Sequence, residues 1–571
     1  MELLPKNRLV QAFYVLFFLF FVLVAHLGYI QLAKGEYYAL CALERETVTV
    51  PLEDFPRGEI LDRHLRPLTQ SYWSNRVVVF PQAISDPELI AGELAEILGG
   101  SEHELLAALK KPQALPDRIS PRQARLIQEK NWPGVLVAPV RVRYGPDPLA
   151  AQVVGYLGRA SLTGQASSPR FGDWVGRTGL ERFYDHDLAA GRPRSYARLY
   201  TDACGQWLKG LGVEVNLTGP DPERQDVVTT LDADIQRIVE KVMDEQIKNG
   251  AVVVMDARSG DILAMASRPK FNPDPRRIGR YLEGEPEALL DQGVCLFAPG
   301  SLFKVVVAAA ALAEGVVTPE TTFTCRGERD RPVRCWSERG HGAVSFQEAF
   351  AQSCNPVFAK VALALGAEKI ISYARLFGLD NQRVAGYPVP FDRRQNLALI
   401  AAPDNLVNSS LGQGPVLATP VQIAAMMNTI VNDGKYLAPR LVKELRTEDG
   451  KVARVISPEP GHQAIPPEVA RQLQKMLAVV TTEGIGKKAH LPGWKSAGKT
   501  GSAQVGNASV NAWFCGYAPL ANPEYVVAIL VKNGASGSQT AAPLFRMIME
   551  QLLKKFFIKN YANSIYSDKI I

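Results

Sequence analysis

Residues 9–32, LVQAFYVLFFLFFVLVAHLGYIQL, constrain this chain more than any other stretch. They form an apolar run about long enough to cross a bilayer as one helix. Strongly polar side chains interrupt it only at Gln11, His26 and Gln31. Phe and Leu recur on every face of such a helix, so it offers no wet side to a soluble fold. A cleaved leader normally has a shorter apolar core followed by small residues in an A-x-A pattern, and no such pattern is present here. The run therefore reads as an uncleaved anchor. Lys6 and Arg8 precede it, which predicts a cytoplasmic tail over 1–8 and an extracytoplasmic remainder.

The chain beyond the anchor is too long for one ordinary core, so two or more domains are expected. The net charge of +6 over 571 residues is modest and argues against a dedicated nucleic-acid binder. Seven cysteines are scattered without a CxxC pair, and the histidines show no HExxH, so no metal site is expected. Cys325 and Cys335 flank a polar loop and leave one small disulfide open. An odd, dispersed set does not resemble a disulfide framework.

Residues 35–225 are mixed, rich in Pro, Gly and Arg, with helical patches at 86–110 and 121–130 between short strands such as NRVVVF and GVLVAPV. No catalytic constellation stands out there, which suits a spacer or docking module. From about 226 the texture changes. DVVTTLDADIQRIVEKVMDEQIKN predicts a strand and an amphipathic helix capped by Asp232. GAVVVMDARSGDILAMAS predicts a hairpin around Arg-Ser-Gly. Helices and loops fill about 285–480, strands resume at KSAGKTGSAQV, NAWFCGYAP and EYVVAILVKN, and a helix comes last over 541–556. The simplest assembly is one five-stranded, mainly antiparallel sheet flanked by helices and split by a helical insert, an α+β arrangement. A cleft between sheet and insert is a natural place for a site.

Three short motifs fall in that frame. Ser301-Leu-Phe-Lys304 opens an apolar helix, FAPGSLFKVVVAAAALAEG. Three residues apart, both side chains lie on one helix face. A serine hydroxyl needs a base to become a nucleophile, and a lysine in an apolar, partly cationic pocket has its pKa lowered enough to serve. The bland reading is a capping Ser beside a surface Lys. Ser353-Cys354-Asn355 interrupts a second apolar helical pattern just before Pro356. It offers another hydroxyl and an amide, or merely a helix cap, with Cys354 as packing. Lys499-Thr500-Gly501-Ser502 lies on a strand whose glycine permits close approach of another backbone. Each motif alone is weak. In order, S-x-x-K, S-x-N and K-T-G form the signature of penicillin-recognising serine acyltransferases.

The chain resembles the class B penicillin-binding proteins, monofunctional D,D-transpeptidases of the cell wall. The resemblance covers nearly its whole length through PGSLFK, GHGAVSFQEAFAQSCNPVF, LGQGPVLATPVQIA and SAGKTGSAQ. Earlier, PRGEILDR (56–63), VGYLG (154–158), GLERFYD (179–185) and DVVTTLD (226–232) resemble the family's pedestal and junction segments. Two departures are Asn511 before Ala512-Trp513-Phe514, where relatives often carry His, and Ser502 after K-T-G, where Thr is common. The resemblance implies a cytoplasmic tail (1–8), an anchor (9–32), a pedestal (33–225), a penicillin-binding transpeptidase domain (226–557) and a tail (558–571). It implies catalytic roles for Ser301, Lys304, Ser353, Asn355 and Lys499, and substrate binding by Thr500, Gly501 and Ser502. No metal or organic cofactor is implied. The implied partners are peptidoglycan stem peptides, β-lactams and a membrane glycosyltransferase of the SEDS type.

Rival readings are a D,D-carboxypeptidase or β-lactamase, a β-lactam receptor, and an inactive scaffold. Against the first, APDNLVN (402–408) lacks the Glu that a deacylating hydrolase would place after S-x-N. Against the second, the short tail before the anchor holds no effector. The third conflicts with a complete motif set.

Overall fold

The computed structural model describes residues 6–35, 47–160, 174–189, 195–202, 204–217, 224–389, 395–402, 404–506 and 509–567. The chain divides into two compact units. One takes Met1–Pro56, Tyr72–Val142 and Arg192–Gly219; the other takes Arg57–Ser71, Arg143–Gly191 and Pro220–Ile571.

The first unit contains the apolar run as a helix, Lys6–Gly28, extended by a turn of π-helix, Tyr29–Ala33. It is the one described helix long and apolar enough to cross a membrane, with mean hydropathy 2.3 over Val10–Ala33. Beyond it stand two three-stranded antiparallel sheets. One orders Thr47–Pro51, Tyr196–Tyr200 and Val213–Asn216; the other centres Tyr72–Val79 between Gln113–Ala114 and Val135–Val142. Alternation along Tyr72–Val79 feeds two cores. Val77 and Val79 pack with the helices Pro87–Leu98, Glu102–Ala108 and Pro121–Lys130, while Val78 packs with Val50, Leu52 and Leu199.

The second unit is built on the expected five-stranded antiparallel sheet. Its order is Ile262–Arg268, Gly250–Asp256, Tyr525–Val531, Ser509–Ala518, Ala497–Val505. One face is covered by Ala233–Gln246 and the C-terminal helix, whose Phe545 meets Phe514 at 4.7 Å between ring centroids. Asp232 caps the first of these helices by accepting from the N–H groups of Asp234 and Ile235. On the opposite face Cys515, next in the strand after Phe514, points its Sγ at the Ile423 carbonyl in the helix Pro420–Val431. The sheet is thus a middle layer between helices, with the insert bearing on the side of the candidate site.

Three features go beyond the local sequence pattern. The compact units do not follow chain order: 57–71 and 143–191 cluster with 220–571. Ile60–Leu61 pairs in parallel with Gln225–Thr229. In the same unit Glu181 is fully buried and accepts from Arg57 Nε at 3.0 Å, Arg143 Nη2 at 2.7 Å and the Tyr144 hydroxyl at 2.9 Å. PRGEILDR and GLERFYD therefore meet through a buried charge network, which chain order does not reveal. Second, the insert is not wholly helical. Thr322–Cys325 and Gly342–Ser345 form a hairpin, and Val442–Thr447 joins the sheet of Gln225–Thr229. Third, the last helix runs Ala542–Ser567, longer than the 541–556 expected.

Candidate active site

Ser301 sits in a 3₁₀ turn, Gly300–Leu302, and Lys304 begins the α-helix Lys304–Ala313. Val305 through Ala311 are fully buried, so this helix is buried on all faces and its start is fixed by packing on every side. Gly315, left-handed at φ 67°, ends it, with the Val316 N–H reaching back to the Ala311 carbonyl. At the other end Gly300 has φ 57°. A Cβ there would lie 2.7–3.0 Å from the backbone of Ser502, and one on Gly412 would lie 1.9 Å from the Gly300 carbonyl oxygen. The Ser301 turn is therefore pressed between the strand Ala497–Val505 and the 411–414 loop.

Lys304 is fully buried. Its Nζ donates to the Ser353 carbonyl at 2.8 Å, Ser353 Oγ at 3.2 Å and Asn355 Oδ1 at 2.6 Å, and it stands 5.3 Å from the Phe358 ring centroid. No carboxylate pairs with it among the described residues. Burial lowers its pKa from 10.5 to about 7, although the neighbouring Cys354 and Cys335 act in the other direction. A surface role for this lysine is thereby excluded.

Ser353 is a buried non-glycine residue at φ 53°, the left-handed region. That backbone turns the chain so that its carbonyl and hydroxyl, together with Asn355 from the next helix, converge on one ammonium. Neither Ser353 nor Asn355 caps that helix. The N-cap is Cys354, without a side-chain hydrogen bond, and Pro356 stands in the first turn. The bland capping reading fails because these polar groups serve Lys304 instead.

The strand Ala497–Val505 is the sheet's edge, paired on one side with Ser509–Ala518 in a register that sets Lys499 opposite Cys515 and Gly501 opposite Trp513. Lys499 is fully buried, donates to the Thr500 carbonyl at 3.3 Å and stands 5.7 Å from the Phe350 ring centroid. Burial, followed by repulsion from Lys304, pushes its pKa well below 10.5. Thr500 Oγ1 is buried without a partner among the described residues, so it can accept or donate to an incoming group. Ser502 Oγ accepts the Gly537 N–H at 3.0 Å, which closes the far end of the strand. Asn511 is buried opposite Ala503.

All eight residues singled out in the sequence thus lie on three elements that meet at one edge of the sheet. A separate cavity of about 960 Å³, bordered by Arg177, Asp291 and Tyr387 among others, includes none of them. The sequence reading missed one neighbour of the motif residues. Cys354 lies with Cys325, Cys335 and His341 in a single cluster whose ligating atoms are all within 4.8 Å of one another. Their spacing, spread over thirty residues of loop and helix, carried no recognisable signal. The cysteines are free, so the small disulfide between Cys325 and Cys335 is not formed.

Residues 250–550 match the family model described as the penicillin binding protein transpeptidase domain, more than half of the chain. The chain belongs to the penicillin-binding transpeptidase family. Residues 53–221 match the penicillin-binding protein dimerisation domain. Stage V sporulation protein D of Bacillus subtilis is 29% identical over 96% of this chain and 85% of its own. Peptidoglycan D,D-transpeptidase MrdA of Salmonella typhimurium is 27% identical over 96% of each. Among solved structures, a chain from one titled "Structural coordination of polymerization and crosslinking by a peptidoglycan synthase complex" is 28% identical. It matches 95% of this chain and 98% of its own, with a TM-score of 0.71. This is therefore a class B penicillin-binding protein and a peptidoglycan D,D-transpeptidase.

Proposed function

We propose that Ser301 is the nucleophile and Lys304 its general base, and the single observation that carries this is the burial of Lys304 against Ser353 and Asn355. A lysine with a pKa of about 7 is substantially unprotonated at neutral pH and hydrogen-bonded in place. It takes the Ser301 proton as Oγ attacks the carbonyl between the two terminal D-alanines of a stem peptide. The oxyanion is held by the backbone N–H groups of Ser301 and Ser502, which close approach of the two segments at Gly300 brings together. Ser353 passes a proton to the departing D-Ala amine, assisted by Lys304 and Lys499. Asn355 orients the donor peptide amide, while Thr500 Oγ1 and Lys499 receive the terminal carboxylate. The peptide adds to the open edge of Ala497–Val505 as a further strand. An amine of a neighbouring stem then attacks the acyl-enzyme, restoring Ser301 and forming the cross-link. β-Lactams acylate Ser301 through the same steps.

The basic residues before the anchor support a cytoplasmic N-terminus and an extracytoplasmic catalytic domain. On that reading 33–225 is the pedestal and 226–557 the catalytic domain. The likeness to a chain of a peptidoglycan synthase complex supports a membrane glycosyltransferase of the SEDS type as partner.

The test uses the full chain in detergent with a fluorescent penicillin. Wild type is labelled and Ser301→Ala is not; labelling that survives the substitution overturns the nucleophile assignment. Supplied with a lipid-linked D-Ala-D-Ala donor and an amine acceptor, the enzyme forms an amide. Free acid alone would make it a carboxypeptidase.

A further inference from the structure

We infer that the arginine-rich loop over residues 326–339 is the subsite for the acceptor stem peptide, whose free carboxylates it binds before the acceptor amine attacks the acyl-enzyme. This rests on the roles proposed for Ser301 and Ser353. Between the strands Thr322–Cys325 and Gly342–Ser345 the chain places Arg326, Arg329, Arg331, Arg334 and Arg339, against the acids Glu328, Asp330 and Glu338. All five arginines are exposed.

The loop answers little of this charge itself. Asp330 is buried, accepts the Arg326 N–H at 2.6 Å and lies 3.5 Å from Lys360 Nζ, so its carboxylate is engaged inside the fold. Arg331 folds back and donates to the carbonyls of Glu328 at 2.9 Å and Asp330 at 2.8 Å. The guanidiniums of Arg326, Arg329, Arg334 and Arg339 make no ion pair or hydrogen bond among the described residues. A solvated arginine is common and by itself means little. Four on one loop form a positive surface of forked donors, the geometry that pairs with carboxylates.

What gives the surface a ligand is its place beside the reacting turn. Trp336 Nε1 donates at 3.0 Å to the carbonyl of Gln352, the residue before Ser353, and its side chain is 57% exposed. Lys360, on the helix that begins at Asn355, donates to the Thr324 carbonyl at 3.1 Å. A Cβ on Gly327 would lie 2.0 Å from the Glu338 carbonyl oxygen, and one on Gly340 would lie 2.4 Å from that of Cys325. Both glycines have positive φ, so the two limbs of the loop cross with no room for side chains. The lobe is closed at its base and pinned at Trp336 to the segment leading into Ser353. An extended chain covers at most about 3.6 Å per residue, so the Cα atoms of Arg334 and Arg339 lie within about 7 Å and about 11 Å of that of Trp336.

The second half of the reaction selects the acceptor as the ligand on this side. Its amine nitrogen bonds to the acyl carbon, the bond from that carbon to Ser301 Oγ breaks, and the amine proton returns to Oγ through Ser353 and Lys304. This step is the departure of D-Ala run backwards with a different amine, so the acceptor enters where D-Ala left, beside Ser353. The donor carboxylate belongs to Thr500 and Lys499 on the strand Ala497–Val505, which leaves the arginines of the other wall to the acceptor. A stem peptide with free side carboxylates is acidic; one with amidated carboxylates is not. The exposed face of Trp336 offers an apolar contact to the alkyl arm that carries the amine.

Exposed ion pairs are individually weak and screened by salt, so these arginines act as a group and set the KM for the acceptor. Acylation, which involves no acceptor, does not use them. An anionic membrane surface would attract the same charges, but it gives no reason for holding them at the turn that carries Ser353.

The full chain in detergent is supplied with a lipid-linked D-Ala-D-Ala donor and either of two synthetic acceptor stems, one with free side carboxylates and one with them amidated. Wild type should show a KM roughly three- to tenfold lower for the free acid, and raising the salt should shrink that preference. Arg334→Gln combined with Arg339→Gln should abolish the preference while kcat changes less than about twofold. Lysine at both positions should restore most of it. The rate of labelling by fluorescent penicillin should be the same in wild type and the glutamine variant; a variant that also labels slowly would make the loop structural and overturn the subsite. Equal KM values for the two acceptors on wild type would overturn it without any variant. A preference that survives the double substitution would overturn it too, and binding to phosphatidylglycerol vesicles that the same substitution removes would then assign the arginines to the membrane. Labelling of Ser301→Ala refutes the catalytic reading, whereas the acceptor preference is read from wild type and the arginine variants, so the two failures give different results.

Discussion

Titration of Lys304 is the most direct check on the catalytic geometry. Moving its pKa from 10.5 to about 7 corresponds to about 5 kcal/mol against the buried ammonium. Three oxygens around Nζ favour the charged form, yet no carboxylate among the described residues answers it. With a midpoint of about 7, the unprotonated fraction rises from about one-tenth at pH 6 to about nine-tenths at pH 8. The second-order rate of acylation by a fluorescent penicillin should therefore rise nearly tenfold over that interval and then level off. Asn355→Asp preserves the shape and sets a carboxylate where Oδ1 now accepts from Nζ at 2.6 Å. An adjacent opposite charge holds the ammonium, so the midpoint should move up to roughly 8–10. The measurement is a stopped-flow profile from pH 5.5 to 10 on both proteins. A wild-type rate independent of pH through this range, or an Asn355→Asp midpoint that stays where it was, would refute the assignment of Lys304 as the base.

Gly300→Ala adds a Cβ 2.7–3.0 Å from the Ser502 backbone in a residue at φ 57°. The left-handed backbone alone costs roughly 1–2 kcal/mol, and the contact forces the Ser301 turn off the strand. Penicillin acylation should fall at least about tenfold, read from the labelling rate. Thr500→Val removes a buried hydroxyl that has no partner among the described residues, so the melting temperature should barely change. The loss should appear as weaker binding of carboxylate-bearing penicillin, a higher KM against a smaller change in kcat. Glu181→Ala removes the carboxylate that pairs with buried Arg143 and one of the two that pair with buried Arg57, and should destabilise the fold by about 3–5 kcal/mol, measured by urea denaturation. Glu181 has its pKa lowered in the folded state by Arg143 and Arg57, against desolvation. Its contribution is present above the ordinary carboxylate range and should be lost as pH falls through its folded pKa.

Local pattern carried much of this molecule. The apolar run over 9–32, the hairpin around Arg258-Ser259-Gly260, the Asp232 cap and the late strands arise from periodicity and turn chemistry that act within a dozen residues. The order of S-x-x-K, S-x-N and K-T-G likewise singles out Ser301, Lys304, Ser353, Asn355 and Lys499 as candidates from local pattern alone. Burial was beyond that reach. Whether Lys304 snorkels to water or is sealed under Phe358 depends on the helix at 355–365, and whether Ser353 caps a helix or turns left-handed depends on Lys304. The meeting of Arg57 with Glu181, and of Cys354 with Cys325, Cys335 and His341, is of the same kind. The residues involved are separated by loops and whole elements, and their mutual distance is set by how those elements pack. Sequence by itself determined the chemical groups and their order; only the tertiary structure decided which of them are dry, which are charged and which share a site, because desolvation and ligand geometry depend on distances in space.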